Sequence, residues 1–376
     1  MSWINVTYRI SADRAELDGI AQALALEQSV EVSAAVVTDP FVAANIMGRV
    51  AAVHPAADGP HEVVIRLATA TTGFDVAQTV NMLFGNSSLQ PHIELIDVEF
   101  PPDFLARFSG PRYGVDGIRR QLHSGHRPLT CAALKPQGLS SEALASLAYT
   151  LASNGIDIIK DDHGLADQAY SPFAQRVAAC QLAISRARRE TGRACIYAPS
   201  LVGSPSALVA QARIAREEGV GAVLLAPALI GMPVFHELIT THVDVPVIAH
   251  PAYGGAVRVA APLLLGKIFR WLGADAVIFP NFGGRFTYSR EDCARIASNN
   301  RSDWAGYAAT LPVPAGGLTM DRVADLVAFY GPDVMLLIGG ALLAPPDKLA
   351  ERTRDFVSAM KTAHVSYCAA SGATSS

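Results

Sequence analysis

At 376 residues the chain can hold one large domain or two ordinary ones, and with half its residues hydrophobic and 17% charged it has the composition of a globular protein with an ample core. A net charge of −4 and the lack of any Lys/Arg-rich run argue against nucleic acid or an anionic membrane surface as partner. No apolar run reaches the ~20 residues that a bilayer demands, and the opening MSWINVTYRI lacks the charged start and apolar centre of a signal peptide. The five cysteines (Cys131, Cys180, Cys195, Cys293, Cys368) are scattered, with no C-x-x-C pair, as expected of reduced thiols in a cytoplasmic protein.

The first part of the chain mixes strand and helix signals. INVTYRI and HEVVIRLAT alternate or run apolar with β-branched residues and predict strands. DRAELDGIAQALALEQ and DVAQTVNMLFG have helical spacing. IELIDVEFPPDFLARF predicts a strand, a Pro-Pro stop and a short helix. Residues 1–125 are therefore expected to form a small α+β domain. GPRYGVDGIRRQLHSGHRP, rich in Gly, Pro and basic residues, is expected to be a linker that ends near Arg127.

A rhythm then begins. LTCAALK, IDIIKDD, ACIYAPS, GAVLLAP, PVIAHPA, ADAVIFP, TLPVPAG and DVMLLIGG are short apolar strands that start roughly 23–38 residues apart, and most intervals hold a helical segment. Eight strand–helix units predict a (β/α)8 barrel over residues 126–365; a doubly wound open sheet is the alternative, though it rarely has such even units. Residues 366–376 are expected to be a tail, with SGATSS disordered.

In a (β/α)8 barrel the chemistry sits at the C-terminal ends of the strands. Strand 1 ends at Lys135, strand 2 at Lys160-Asp161-Asp162-His163, and strand 5 carries His250. Strands 7 and 8 end in Gly316-Gly317 and Gly339-Gly340. Alternation turns Lys160 and Asp162 to the same, inner face, with His163 just beyond. Asp162 and His163 offer an oxygen and a nitrogen to a divalent cation, and a deprotonated Lys160 that reacts with CO2 becomes an anionic carbamate ligand. The competing reading is a Lys–Asp salt bridge at a strand end. The paired glycines let backbone N–H groups approach a phosphate, or are plain turns. Lys135 is a base if desolvation lowers its pKa, or a salt-bridged surface lysine. His250 either polarises a substrate oxygen or is a core histidine bonded to backbone.

Together these motifs resemble the large subunit of ribulose bisphosphate carboxylase and, more closely, its non-carboxylating relatives, the RuBisCO-like proteins. RPLTCAALKPQGLS resembles the strand 1 motif with the catalytic lysine. NGIDIIKDDHGLADQAYSPFAQRV resembles the strand 2 motif with the carbamylated lysine and metal ligands. VPAGGLTMDRV and LLIGGALLAP resemble the two phosphate loops, and FPPDFLARFSGPRYGVDGIRRQL the domain connection. The resemblance runs in order over nearly the whole chain.

The resemblance implies that Lys160 is the carbamylated lysine, Asp162 a Mg2+ ligand and Lys135 the enolisation base. It makes His250 a substrate-binding histidine, and Gly316, Gly317, Gly339 and Gly340 the phosphate loops. Glu27 would complete the site of a neighbouring subunit, which implies a homodimer with shared active sites. His163 stands where the family has glutamate, so the third ligand stays open, as does a softer ion than Mg2+. The carboxylase's second strand 1 lysine is Gln137 here, its arginine after the strand 5 histidine is Pro251, and its strand 6 histidine is Phe279. Apolar groups cannot compensate a second phosphate, whose burial against them costs several kcal/mol. Carboxylase activity is therefore not expected.

A ketose 1-phosphate with an apolar far end near Pro251, Phe279 and Phe282 fits this pattern. The expected activity is that of a 5-methylthioribulose 1-phosphate isomerase in methylthio-sugar salvage. The alternatives are an enolase for the diketo-5-methylthiopentyl 1-phosphate of the same route, a decarboxylase of 3-oxo-isoapionate 4-phosphate with Arg285 as the carboxylate's cation, and a non-catalytic regulator of sulfur metabolism.

Overall fold

The structure, a computed structural model, describes residues 2–286 and 288–372. It divides into two compact units, residues 1–109 with 254–264, and residues 110–253 with 265–376.

The first unit is built on an antiparallel sheet of β1 (Trp3–Ile10), β2 (Arg49–His54), β3 (His61–Ala68) and β4 (Ile93–Glu99), in the order β2-β3-β1-β4. Every second residue of β1 is buried: Ile4, Val6, Tyr8 and Ile10. That period of two is the signature of a sheet with one covered face. Helices α1 (Leu17–Glu27) and α2 (Val76–Phe84) belong to this unit, and Asp75 caps α2 by accepting the Gln78 N–H at 2.8 Å. The segment 254–264 joins the unit through Leu95, whose N–H donates to Arg258 O and whose carbonyl accepts from the Ala260 N–H. The Arg258 guanidinium also donates to the Ile93, Ser88 and Gln90 carbonyls.

The second unit holds the eight expected strands: β5 (Leu129–Leu134), β6 (Ile158–Asp161), β7 (Ile196–Ala198), β8 (Val223–Leu225), β9 (Val247–Ala249), β10 (Ala276–Pro280), β11 (Leu311–Ala315) and β12 (Met335–Ile338). They form two parallel ladders, β12-β5-β6-β7 and β11-β10-β9-β8. Hydrogen bonds from Leu224 N to Pro199 O and from Leu201 N to Leu224 O join β7 to β8, and β11 lies beside β12, so the strands close a barrel. Its inner core is set by alternation: Leu129 and Cys131, Ile158, Ile196 and Ala198, Leu224, Ile248, Ala276 and Ile278, Leu311 and Val313, Met335 and Leu337.

The stretch expected as a linker is in fact helical. α3 (Gly114–Leu122) buries Val115, Ile118 and Leu122 in the barrel core at its N-terminal end. Asp275 pins the start of α3 by accepting the Tyr113 and Gly114 N–H groups, together with that of Val247. The outer layer includes α4 (Ser141–Ser153), α5 (Phe173–Thr191), α6 (Pro205–Glu217), α7 (Met232–Thr241), α8 (Arg290–Arg301), α9 (Val323–Tyr330) and α10 (Leu349–Ser371). Ser140, Ser204 and Ser289 cap α4, α6 and α8 through their hydroxyls, each worth about 1 kcal/mol. α10 continues through Ser371, so residues 366–371 are helix rather than tail; the end of SGATSS, residues 373–376, lies outside the described residues. Among the described residues no helix is long and apolar enough to cross a membrane.

Candidate active site

The ends of β5, β6 and β9 bring together Lys135, Lys160, Asp162, His163 and His250. The Lys135 ammonium lies 2.7 Å from Asp162 Oδ1, and His163 Nδ1 lies 3.4 Å from the same oxygen. The rings of His163 and His250 stack with centroids 4.3 Å apart and planes 12° apart. Lys160 is buried inside the barrel, where its ammonium donates to the Asp161 carbonyl at 2.9 Å. The strand 2 salt bridge therefore joins Asp162 to Lys135.

The electrostatics follow from this placement. Burial, with the Lys135 charge adding to it, pushes the Lys160 amine below its ordinary value. A lowered pKa raises the share of neutral amine, the form that attacks CO2. Burial alone would raise the Asp162 carboxyl, but its hydrogen bonds with His163 and Lys135 and the charges of Lys160 and Lys135 hold it well below the usual carboxylate range. Burial, then the charges of Lys160 and His163, pushes the His250 imidazole down to about 2. The Ala252 N–H donates to His250 Nδ1 at 3.1 Å, so Nδ1 is the unprotonated nitrogen and Nε2 carries the proton. His250 is thus a neutral hydrogen-bond donor. We expect 15N spectra to show one histidine with a bare Nδ1 and a protonated Nε2, unchanged between about pH 9 and about pH 5 and missing in His250→Gln. Titration of that signal with a midpoint near the ordinary histidine value would contradict this assignment.

Asp161 points the other way, into the helix layer. It is fully buried and accepts from Arg176 Nε at 3.0 Å, Tyr197 OH at 2.8 Å and the Ser200 N–H at 3.2 Å. Sequence reasoning missed this network. The signal was present: Arg176 interrupts the buried face of α5 formed by Phe173, Val177 and Cys180 at i, i+3/i+4 and i+7 spacing.

The glycine pairs lie at the ends of β11 and β12. Gly316 and Gly317 have φ of +87° and +96°, and a Cβ on Gly284 would come within 2.1 Å of the Gly316 carbonyl oxygen. The 283–286 loop therefore rests on this pair, with the Arg285 N–H donating to Gly316 O at 2.9 Å. A Cβ on Gly339 would stand 3.8 Å from Lys135 Cε, which places the strand 8 glycine beside that lysine.

Other expected site residues fall elsewhere. Phe279 does not line the barrel mouth. Ile278 takes the inward position, so Phe279 turns outward, fully buried and edge-on to Tyr330 at 6.0 Å. Phe282 is packed against Phe329 at 4.9 Å, with the Arg290 and Arg322 guanidinium groups over its ring. The Arg285 guanidinium sits over Phe286. Glu27 ends α1 in the first unit, where its carboxylate accepts from Asn86 Nδ2 at 3.0 Å.

Comparison with known proteins matches this geometry. The profile of the ribulose bisphosphate carboxylase large chain, catalytic domain, matches residues 114–278. The chain is 49% identical to ribulose bisphosphate carboxylase-like protein 1 of Rhodopseudomonas palustris, over 94% of this chain and 96% of that one. It is 46% identical to a Rhodospirillum rubrum protein named 5-methylthioribulose-1-phosphate isomerase, over 95% of this chain and 96% of that one. A crystal structure of a Rubisco-like protein from Rhodopseudomonas palustris superposes with a TM-score of 0.89 at 46% identity, covering 96% of this chain and 98% of that one. Since identity of this order spans both chains almost end to end and the barrel mouth carries the motifs in sequence, the chain belongs to the RuBisCO-like proteins of the ribulose bisphosphate carboxylase large-subunit family.

Proposed function

We propose that this protein is a 5-methylthioribulose 1-phosphate isomerase of methylthio-sugar salvage, without carboxylase activity. The observation that carries the proposal is the Lys135–Asp162 pair at 2.7 Å beside the buried, pKa-lowered Lys160. A binding or regulatory protein has no use for a positioned base next to a masked amine. The name of the 46% identical relative supports the choice of substrate.

Among the described residues no three His, Cys, Asp or Glu side chains converge on one point. Asp162 and His163 would hold a divalent cation together with Lys160 as its carbamate, which would be an oxygen ligand suited to Mg2+. Such an ion supplies Lewis acidity, which lowers the pKa of a C–H next to a ketone. With Asp162 committed to the cation, Lys135 would be released from its ion pair, and its neutral amine would accept that proton as the enediol forms. A proton, exchanged with solvent on the lysine, is then delivered to the former carbonyl carbon while the neighbouring hydroxyl gives up its own, and the C=O moves by one carbon. The His250 Nε2–H donates to the oxygen on which negative charge grows. Backbone N–H groups at Gly316, Gly317, Gly339 and Gly340 hold the phosphate. The proposal includes a homodimer in which Glu27 of one copy completes the site of the other.

The test is incubation with 5-methylthioribulose 1-phosphate, Mg2+ and bicarbonate in deuterated water, read by NMR. The expected result is an isomeric ketose phosphate with deuterium at the former carbonyl carbon, and a rate that falls when bicarbonate and Mg2+ are removed. Turnover of the diketo phosphate alone, or no exchange with any ketose phosphate, would reject the proposal.

A further inference from the structure

The opposite end of the barrel holds a cavity that the catalytic reading does not use. It measures ≈ 220 Å³ and lies among Leu122 of α3, Arg127, Pro128 and Thr130 before and at the start of β5, Gly155 and Asp157 before β6, Arg193 and Ala194 before β7, and Val357, Met360 and Lys361 of α10. At about 30 Å³ per water, that is room for roughly seven waters.

Its charges do not balance. Arg127, Arg193 and Lys361 face a single carboxylate, Asp157. Asp157 is buried and already paired with Arg127. It accepts from Arg127 Nη1 at 2.8 Å and Nη2 at 2.5 Å, and from the Thr130 N–H and hydroxyl at 2.8 and 2.9 Å. Three of these donors converge on Oδ2, and Arg127 Nη2 takes Oδ1, so the single negative charge of Asp157 is engaged by Arg127 in a two-point ion pair. Among the described residues neither the Arg193 guanidinium nor the Lys361 ammonium has a hydrogen-bond or ion-pair partner. Arg193 is nonetheless located: its Nη1 lies 3.1 Å from where a Cβ on Gly155 would stand, and Gly155 has a φ of +97°. A glycine at that position lets the guanidinium rest on the backbone at the cavity wall. One turn along α10 from Lys361, burial and the Arg119 and Arg127 cations push the His364 imidazole below its ordinary value. Burial is the larger cause; the share due to the two arginines reflects the cations gathered at this end of the barrel in a protein whose net charge is −4.

We propose that this basal cavity is a binding site for a small phosphate monoester dianion, its phosphate held between Arg193 and Lys361 and its short carbon body against Leu122, Val357 and Met360. Two exposed, unpaired cations match the two charges of a phosphate monoester, and the apolar wall offers contact to a few carbons. The inference is independent of the isomerase assignment.

The test uses inorganic phosphate and glycerol 3-phosphate as probes, titrated calorimetrically into the full chain at constant ionic strength set by chloride. The proposal expects a saturable site that Arg193→Gln/Lys361→Gln weakens at least tenfold and Arg193→Lys/Lys361→Arg retains, with turnover and melting temperature unchanged in both. Glycerol 3-phosphate binding more tightly than phosphate identifies a metabolite site; equal affinities identify a site for the free anion and overturn the assigned ligand class. Affinity and stoichiometry in the Gln variant equal to wild type overturn the site itself. So does a crystal grown in saturating glycerol 3-phosphate with no density between Arg193 and Lys361, which covers the case of a misfolded variant.

Discussion

Lys135→Met is expected to lower kcat/KM by about 10²–10⁴-fold, the range carried by a positioned general base. The methionine keeps the apolar stem and removes only the amine. The Lys135 side chain is 36% exposed but Asp162 only 9%, and Asp162 keeps its contact with His163 and the nearby Lys160 charge, so loss of the ion pair costs about 1–3 kcal/mol of stability, too little to unfold the barrel. Activity and stability therefore separate in this variant, which a structural lysine would not allow. Lys135→Arg is expected to be equally inactive, since a guanidinium does not give up its proton near neutral pH and cannot act as the base. The decisive measurement is deuterium exchange of the substrate C–H. Exchange in Lys135→Met within threefold of wild type would show that another group takes the proton, and the role would have to move to a different side chain at the mouth.

Arg176→Met is expected to be the most destabilising substitution in the barrel, by about 3–5 kcal/mol, because it strands the fully buried Asp161 carboxylate without its cation. Burial works against the Arg176 cation, yet Asp161 and Tyr197 raise its pKa above its ordinary value; burial likewise raises the Asp161 carboxyl, against the lowering effect of Arg176, Tyr197 and Ser200. The arginine also donates to the Ser171 and Ala166 carbonyls and thereby ties the loop after β6 to the start of α5. Removing it loosens the strand end that presents Lys160 and Asp162 on the opposite face, so turnover falls along with stability. Guanidinium unfolding read by tryptophan fluorescence checks the first effect as a lower midpoint at unchanged slope. Arg176→Met combined with Asp161→Leu removes both charges and is expected to recover much of the loss, as buried pairs replaced by apolar groups of like volume do. An unchanged midpoint in the single variant would mean that Asp161 is held by Tyr197 and Ser200 alone.

Much of the architecture was legible because each barrel strand is covered on both faces and reads as a short continuous apolar run. The even spacing of those runs, with helical segments between them, is enough to predict a (β/α)8 barrel. β2 escaped notice for the converse reason: Arg49–His54 is an edge strand with no buried residue, so no apolar pattern marks it. The helix α3 was hidden by glycines and arginines in GPRYGVDGIRRQL, two of which, Gly114 and Gly117, are buried at close contacts with Ala309 and Tyr113. Nothing local announces that residues 254–264 leave β9 to pair with Leu95, because the partner of that segment lies more than a hundred residues earlier.

The sequence by itself determined which chemical groups stand at the strand ends: a strand that stops in Lys-Asp-Asp-His, a lysine closing the strand before it, and glycine pairs closing the last two. These are properties of composition and of a two-residue period. Tertiary structure decided which group faces which. A run such as AVIF is apolar in both phases, so only the closed barrel shows that Ile278 faces in and Phe279 faces out. Whether Asp162 pairs with Lys160 or with Lys135 likewise depends on the distance between neighbouring strands, and no local pattern encodes that distance.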